Sequence, residues 1–387
     1  MESKSKILFV VSEFYQSGAN RYVYEIDKSI DKSKIDLHIL SWHPLNNSKI
    51  WDDYYFSKHQ ALGTPIFFEN EINSQTFPSL KQRIAKKILN KPLPNERKMF
   101  HDFLENYSKI IVIGEYLYPY VSRFMNELEL NKTYISIHNS IFQHKENYDH
   151  YNKTRFYNFI SCFEDGMYQK ELHEFENYNH VYFPLSINLE NRKFKSDYHL
   201  TNTIKIGIFT RLSHTKPLDP FLYAFQLILE KYPSAQFHVY GSGDPEKEGI
   251  MRIVNQLDLQ KNVVFRGHQE DLVASALEDN LNLIWLHGYY GMPGGFAGFD
   301  ICTTKIPQVF WDFSVSGDQY SDPRFPMFHQ LSKFVNKSLE IIGDADKAKV
   351  LAEVQFKYIN DKKNIRNYIH TLESLFLNKT TSNGCKL

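Results

Sequence analysis

TIKIGIFTRLSHTKP, residues 203–217, decides how the chain is organised. Its first eight residues read as a strand and come directly after the polar stretch NLENRKFKSDYHLTN at residues 188–202. The chain opens in the same manner with KILFVVS at residues 6–12, a continuous β-branched run of the kind a strand buried on both faces requires. In both places a turn follows, and then a segment with helical spacing, at residues 20–30 and 221–231. A pattern that begins twice implies two domains, and 387 residues accommodate two at about 150 residues each.

Further strands are predicted at residues 35–41 (IDLHILS), 109–114 (KIIVIG), 133–138 (TYISIH), 158–162 and 180–184. After the restart they are predicted at 235–240, 262–265 and 281–286, with helices at 246–257 and 271–278. Strands alternating with helices build βαβ units and parallel sheets. The expected fold class is therefore α/β, with two doubly wound domains facing across a cleft and ligands at the carboxyl ends of the strands. The boundaries implied are 1–195 for the first domain, 196–350 for the second and 351–387 for a C-terminal helical segment and tail. The last helical stretch, about 348–377, is expected to pack back on the first domain.

Composition removes several functional classes. Basic and acidic residues balance at 45 each, which argues against a whole-protein electrostatic grip on nucleic acid. At 42% apolar residues the chain can fill a large core and is not disordered. Cys162, Cys302 and Cys385 are far apart and odd in number, so neither a disulfide framework nor a cysteine-rich zinc site is expected, and a reducing cytoplasm is the natural setting. The N-terminal apolar run is too short for a signal peptide core, and no run approaches the ~20 apolar residues of a membrane span. SLKQRIAKKILNKPLPNERK, residues 79–98, sets Lys81, Arg83, Lys86, Lys87 and Lys91 around Leu80, Ile84, Ile88 and Leu89. It reads either as an ordinary surface helix or as a peripheral contact with an anionic membrane, which would be the inner face of the plasma membrane.

Several segments are candidates for chemistry. Gly18, in SGANR at residues 17–21, sits between the first strand and the first helix, where a helix N-terminus offers N–H groups to an anion. Arg211 and Lys216 follow the strand IGIF, five residues apart, and can close on one diphosphate. Gly241 and Gly243, in YGSGD at 240–244, read as a nucleotide-proximal turn or as a plain loop leading into a helix. The densest segment is HGYYGMPGGFAGFD, residues 287–300, with five glycines in eleven residues. They free the backbone to approach a ligand, and the helix expected from 299 to 305 carries Asp300 in its first turns. His138 ends the strand TYISIH, as either a structural or a functional histidine. Asp344-Ala345-Asp346 matches a two-aspartate metal pattern but also a helix cap, and no metal is expected.

Taken together these segments resemble the GT-B glycosyltransferases, specifically the retaining "glycosyltransferases group 1" family. KILFVVSEFYQSGANRYVYEI looks like that family's first strand, glycine turn and helix, and FPLSINLENRKF like its approach to the linker. TRLSHTKP matches its Arg-Leu…Lys pattern, and KYPSAQFHVYGSGD and LDLQKNVVFRGH follow its spacing. The resemblance covers most of residues 5–310 and implies two Rossmann-like domains. It implies that Arg211 and Lys216 bind the donor diphosphate, that Gly18 lies near the phosphates and acceptor, and that His138 closes on the donor sugar. It also implies that Gly267 and His268 lie near the base, and that Asp300 holds the ribose hydroxyls.

The chain departs from the family pattern at three kinds of position. Thr210 and Pro217 replace the glycines that flank the Arg…Lys motif. The family pairs two glutamates eight positions apart; here Met292 and Asp300 occupy those places, so one carboxylate is missing and the other is a methylene shorter. The segment ICTTKIPQV, expected to continue the helix, replaces an alanine- and glycine-rich one. The Gly294, Gly295 and Phe296 amides remain available for phosphate or sugar. The function implied is transfer of a sugar from a nucleotide-diphosphate donor to a glycan or lipid-linked acceptor with retention, without metal or cofactor, in bacterial surface polysaccharide, lipopolysaccharide or capsule synthesis. Two alternatives stand beside it: a sugar-nucleotide-binding pseudoenzyme or partner subunit, suggested by Met292, and a nucleotide-sugar epimerase.

Overall fold

A computed structural model describes residues 4–45, 53–73, 94–114, 116–137, 158–162, 179–190, 193–194, 203–288, 295–313 and 322–377. Its strands, in chain order, are β1 (Ser5–Val11), β2 (Ile35–Ser41), β3 (Ile66–Phe68), β4 (Lys109–Ile113), β5 (Thr133–Ile137), β6 (Asn158–Ser161) and β7 (Asn179–Tyr182). Then follow β8 (Lys205–Phe209), β9 (Gln236–Tyr240), β10 (Val263–Gly267), β11 (Leu283–Gly288), β12 (Gln308–Asp312) and β13 (Met327–Phe328). They form two sheets, ordered β3-β2-β1-β4-β5-β6-β7 and β10-β9-β8-β11-β12-β13. Every strand pairing among the described residues is parallel.

Parallel sheets bury both faces, and the apolar runs reflect that: Ile7, Leu8 and Val10 of β1 are inaccessible to solvent. In the first unit Phe100 and Leu104, from the helix Pro94–Leu104, cover Leu8, Val10, Ile110 and Val112. In the second, Phe221 and Phe225 of the helix Asp219–Lys231 pack with Phe237, Trp285 and Phe334. Trp285 is fully buried and donates its indole N–H to Ser338 Oγ at 3.0 Å, so this large side chain leaves no orphaned donor.

Each sheet starts in its middle. β1 lies between β2 and β4, and β8 lies between β9 and β11. Chain direction along the sheet reverses there, and the loops leaving the carboxyl ends diverge to opposite faces, opening a crevice. In the second sheet the two loops concerned are those after β8 and after β11, which contain Arg211, Lys216 and the start of the glycine-rich segment.

The structure corrects the domain boundaries. One unit comprises Met1–Asn188 with Ile365–Leu387, and the other Leu189–Asn364, rather than divisions at 195/196 and 350/351. The buried carboxylate of Glu25 accepts the Asn188 N–H at 2.9 Å, tying that residue to the first unit. Phe194 belongs to the second, because Lys305 lies over the rings of both Phe194 and Phe356, at 4.8 and 5.0 Å. The C-terminal segment expected as one stretch is two helices. Ala345–Lys362 buries Ala348, Ala352 and Gln355 within the second unit. The chain returns to the first unit from Ile365, whose N–H donates to Ile187 O at 3.0 Å, and the helix Ile369–Leu377 follows, with Phe376 edge-on to Phe9 and its carbonyl accepting from Ser5 Oγ at 2.8 Å.

Three short strands, β3, β12 and β13, were not expected. ICTTKIPQV continues the helix only through Cys302: Lys305 has φ 56°, Pro307 follows, and Gln308–Asp312 is β12. Asp344 caps the helix Ala345–Lys362, accepting from the N–H groups of Asp346 and Lys347 at 3.1 Å each. Among the described residues no helix is long and apolar enough to cross a membrane. Residues 79–93 of the basic stretch lie outside the described residues, and 94–98 open the helix Pro94–Leu104.

Candidate functional site

The loop from Thr210 to Pro217 is built by the strands around it. At its start, Thr210 N donates to Tyr240 O at 2.9 Å and Leu212 N to Ser242 O at 2.8 Å. This requires the two backbones to touch. A Cβ on Gly241 would stand 1.6 Å from Thr210 O, and one on Gly243 2.6 Å from Leu212 Cβ and O. Both glycines also have positive φ, 151° and 126°, where a side chain is strained. Their first role is therefore to let the turn after β9 grip the loop that carries Arg211. Within the loop Ser213 and Lys216 form an antiparallel bridge, with Lys216 N donating to Ser213 O at 2.9 Å.

The far end of the loop is held from β11. His287, 4% exposed, approaches Pro217 O through Nε2 at 3.2 Å; a carbonyl only accepts, so Nε2 carries the proton. Its ring stacks on Phe313 at 4.9 Å and meets the edge of Phe221 at 5.1 Å. Burial, with the nearby Lys216 charge, pushes its pKa down to about 4, so the imidazole is neutral at physiological pH.

Lys216 retains exposed surface, yet enough protein surrounds it to disfavour its charge. That desolvation, and then the neighbouring Arg211 guanidinium, hold its pKa below the ordinary lysine value. Among the described residues Lys216 makes no ion pair with a carboxylate. Two cations thus share one loop at the point where the strand order reverses, and an anion between them would relieve both.

The segment after β11 runs to the same edge. Tyr289 to Gly294, with Met292, lie outside the described residues; Gly295 begins a helix, Gly295–Cys302, that includes Phe296 and Asp300. The first N–H groups of a helix have no partner within it, so those of Gly295 and Phe296 are suited to donate to an anion. Phe296 itself is buried against Phe299. Asp300 is 7% exposed and lies past the helix midpoint, not in its first turn. Gln308 fixes the helix from β12, donating from Nε2 to Gly298 O at 2.9 Å. Gln355 in turn accepts Gln308 N–H and donates to Gln308 O and Arg324 O, each at 2.9 Å.

Gly267 terminates β10 at a register shift and is exposed; its carbonyl accepts Gly241 N–H at 2.8 Å, and His268 follows half-buried. The structure therefore joins Arg211, Lys216, Gly241, Gly243 and Gly267 through one backbone network, and adds His287, which the sequence reading passed over. Its only sequence signal was a histidine directly after the strand LIWL and before the glycines. In the other unit Gly18 opens the helix Gly18–Ser29, capped by Ser17 Oγ accepting Asn20 N–H at 3.2 Å. Nearby, at the carboxyl ends of β1 and β4, Ser12 and Tyr116 hydroxyls meet at 3.2 Å. His138 lies outside the described residues.

No family model matches the chain. It is 22% identical over 143 residues to the poly(ribitol-phosphate) alpha-N-acetylglucosaminyltransferase of Staphylococcus aureus strain COL, covering 36% of this chain and 28% of that protein. It is 23% identical over 284 residues to an uncharacterized glycosyltransferase of Methanocaldococcus jannaschii, covering 69% of this chain and 63% of that one. The matches thus span less than two thirds of either relative. Among solved structures, S. aureus TarM, in complex with fondaparinux, alpha-GlcNAc-glycerol and UDP, superposes with a TM-score of 0.67 at 13% identity over 97% of this chain and 100% of that one. Anabaena HepE in complex with UDP-glucose gives 0.68 at 14% identity over 96% and 99%. Two parallel, doubly wound sheets of seven and six strands, matching these structures along nearly the whole chain, give this protein the GT-B fold of the glycosyltransferases.

Proposed function

We propose that the protein transfers a sugar from a nucleoside-diphosphate sugar to an acceptor hydroxyl, retaining the anomeric configuration. The observation that carries this reading is the placement of Lys216 beside Arg211, without a carboxylate ion pair for Lys216 among the described residues, where the second sheet reverses its strand order. The relatives agree in kind: one acts on poly(ribitol phosphate), and the solved structures hold UDP or UDP-glucose.

When the glycosidic C–O bond to the donor phosphate breaks, negative charge develops on the departing diphosphate. Arg211 meets it with a planar fork of N–H groups, Lys216 with a point charge, and the Gly295 and Phe296 amides with the positive end of a helix. These groups take the part that a resident metal plays elsewhere. Asp300 holds the ribose, and the Gly267–His268 turn faces the base. In front-face chemistry the leaving phosphate oxygen accepts the proton of the attacking hydroxyl, so no separate general base is needed. The acceptor is a glycan or lipid-linked glycan of a bacterial surface polymer.

Met292, in place of the family's first glutamate, supports a second reading, a sugar-nucleotide-binding protein without transfer activity. A thermal-shift panel of UDP, GDP and ADP sugars, followed by transfer assays with the stabilising donor, tests both. A ligand confined to the folded state raises the melting temperature by mass action. Stabilisation with transfer supports the enzyme, stabilisation alone over a broad acceptor panel supports the second reading, and no stabilisation by any donor refutes both.

A further inference from the structure

Arg211 and Lys216 repel one another, so whatever holds their loop determines whether an anion finds them in place. The start of the loop is gripped by the turn after β9, through Thr210 N–Tyr240 O and Leu212 N–Ser242 O. Its end has a different kind of anchor. Pro217 has no N–H, and its carbonyl accepts from the Nε2–H of His287 at 3.2 Å. Lys216 is the residue immediately before; its own N–H closes the bridge to Ser213 O at 2.9 Å, and the His287 bond ties that bridged turn to β11. Nothing about burial alone calls for a histidine at 287: the ring is 4% exposed and packed between Phe221 and Phe313, a place a phenylalanine would fill. What histidine adds is a single N–H aimed at the loop.

We propose that His287 is a positioning residue of the donor site, holding Lys216 against Arg211 through the Pro217 carbonyl so that the cation pair is preorganised for a diphosphate. It touches no substrate and acts through the loop. The inference rests on the donor-site reading above. A half-buried carbonyl that loses its donor also loses a constraint on its conformation, and this end of the loop can then shift so that its two like charges separate.

The test measures binding of UDP, GDP, ADP and inorganic pyrophosphate by calorimetry to the wild-type chain, His287→Phe and His287→Gln, with the melting temperature of each ligand-free protein. His287→Phe preserves the aromatic packing and removes the donor; His287→Gln places an amide N–H near the Nε2 position. The expected result is about tenfold weaker binding of the preferred diphosphate by His287→Phe, recovery to within about threefold in His287→Gln, and ligand-free melting temperatures that do not follow that order. With a donor sugar identified, the loss should appear in KM more than in kcat. If the wild type binds and His287→Phe binds equally well, or if His287→Gln is as weak as His287→Phe, the positioning role is overturned while the donor-site reading stands. If the wild type binds none of the four, both fall.

Discussion

Gly241 stands so close to Thr210 that a Cβ built on it would lie 1.6 Å from the Thr210 carbonyl oxygen. The turn after β9 and the loop after β8 are thereby one unit, and Gly241→Ala must push them apart. The substitution should destabilise the protein by about 3 kcal/mol, from overpacking and from positive φ combined. It should also weaken nucleotide binding, although Gly241 is in the backbone network and need not touch the ligand. Urea denaturation with parallel UDP titration checks this; wild-type values in both would show that the turn is not a grip.

Arg211→Ala and Lys216→Ala should each lower transfer by about 10²–10³ while leaving the fold intact, because each removes one group that meets developing charge. Steady-state kinetics with the donor found by thermal shift, together with circular dichroism, decide the matter. Wild-type turnover in both variants would remove them from the site.

His287 predicts a pH dependence of stability. Its folded-state pKa lies at about 4, against an ordinary 6.5. Between those values the unfolded chain binds the proton and the folded chain does not, so stability falls as pH is lowered through this window, by about 1.4 kcal/mol per unit. The loss totals about 3 kcal/mol and levels off below pH about 4, where both states are protonated. Above pH about 6.5 the residue contributes no slope. Chemical denaturation of wild type and His287→Gln from pH 7.5 to 4 isolates it: the difference between the two curves should carry this slope, and parallel curves would contradict it.

Gln355 satisfies three backbone groups at once, two on Gln308 and one on Arg324. Gln355→Leu keeps the volume but leaves the two Gln308 groups buried without this partner. A loss of about 3 kcal/mol is expected. Because Gln308 also fixes the helix Gly295–Cys302 through Gly298 O, donor affinity should fall with it. Equilibrium unfolding and a UDP titration measure the two effects.

Strand runs such as KILFVVS and IDLHILS were legible because a strand buried on both faces is written as continuous apolar sequence, and the observed β1 and β2 lie within a residue of them. β3, β12 and β13 were not legible. Three residues of IFF or two of Met327–Phe328 carry no periodicity, and β12 hides in an apolar stretch that reads equally well as helix. Linker position was read from polarity, but the boundary was set by contacts: the buried Glu25 carboxylate on Asn188, and Lys305 between Phe194 and Phe356.

By itself the sequence determined the α/β class, the two-fold restart and the Arg211…Lys216 pair, since these depend on local pattern and on residues near one another in the chain. Tertiary structure alone decided that Gly241 and Gly243 serve the Arg211 loop, that His287 holds its other end, and that the Lys216 pKa is held down by its surroundings and by a second cation. Such relations arise from strands that are neighbours in the sheet but 30 to 70 residues apart in the chain, as Thr210–Tyr240 and Pro217–His287 are. No local pattern encodes which backbones will meet there.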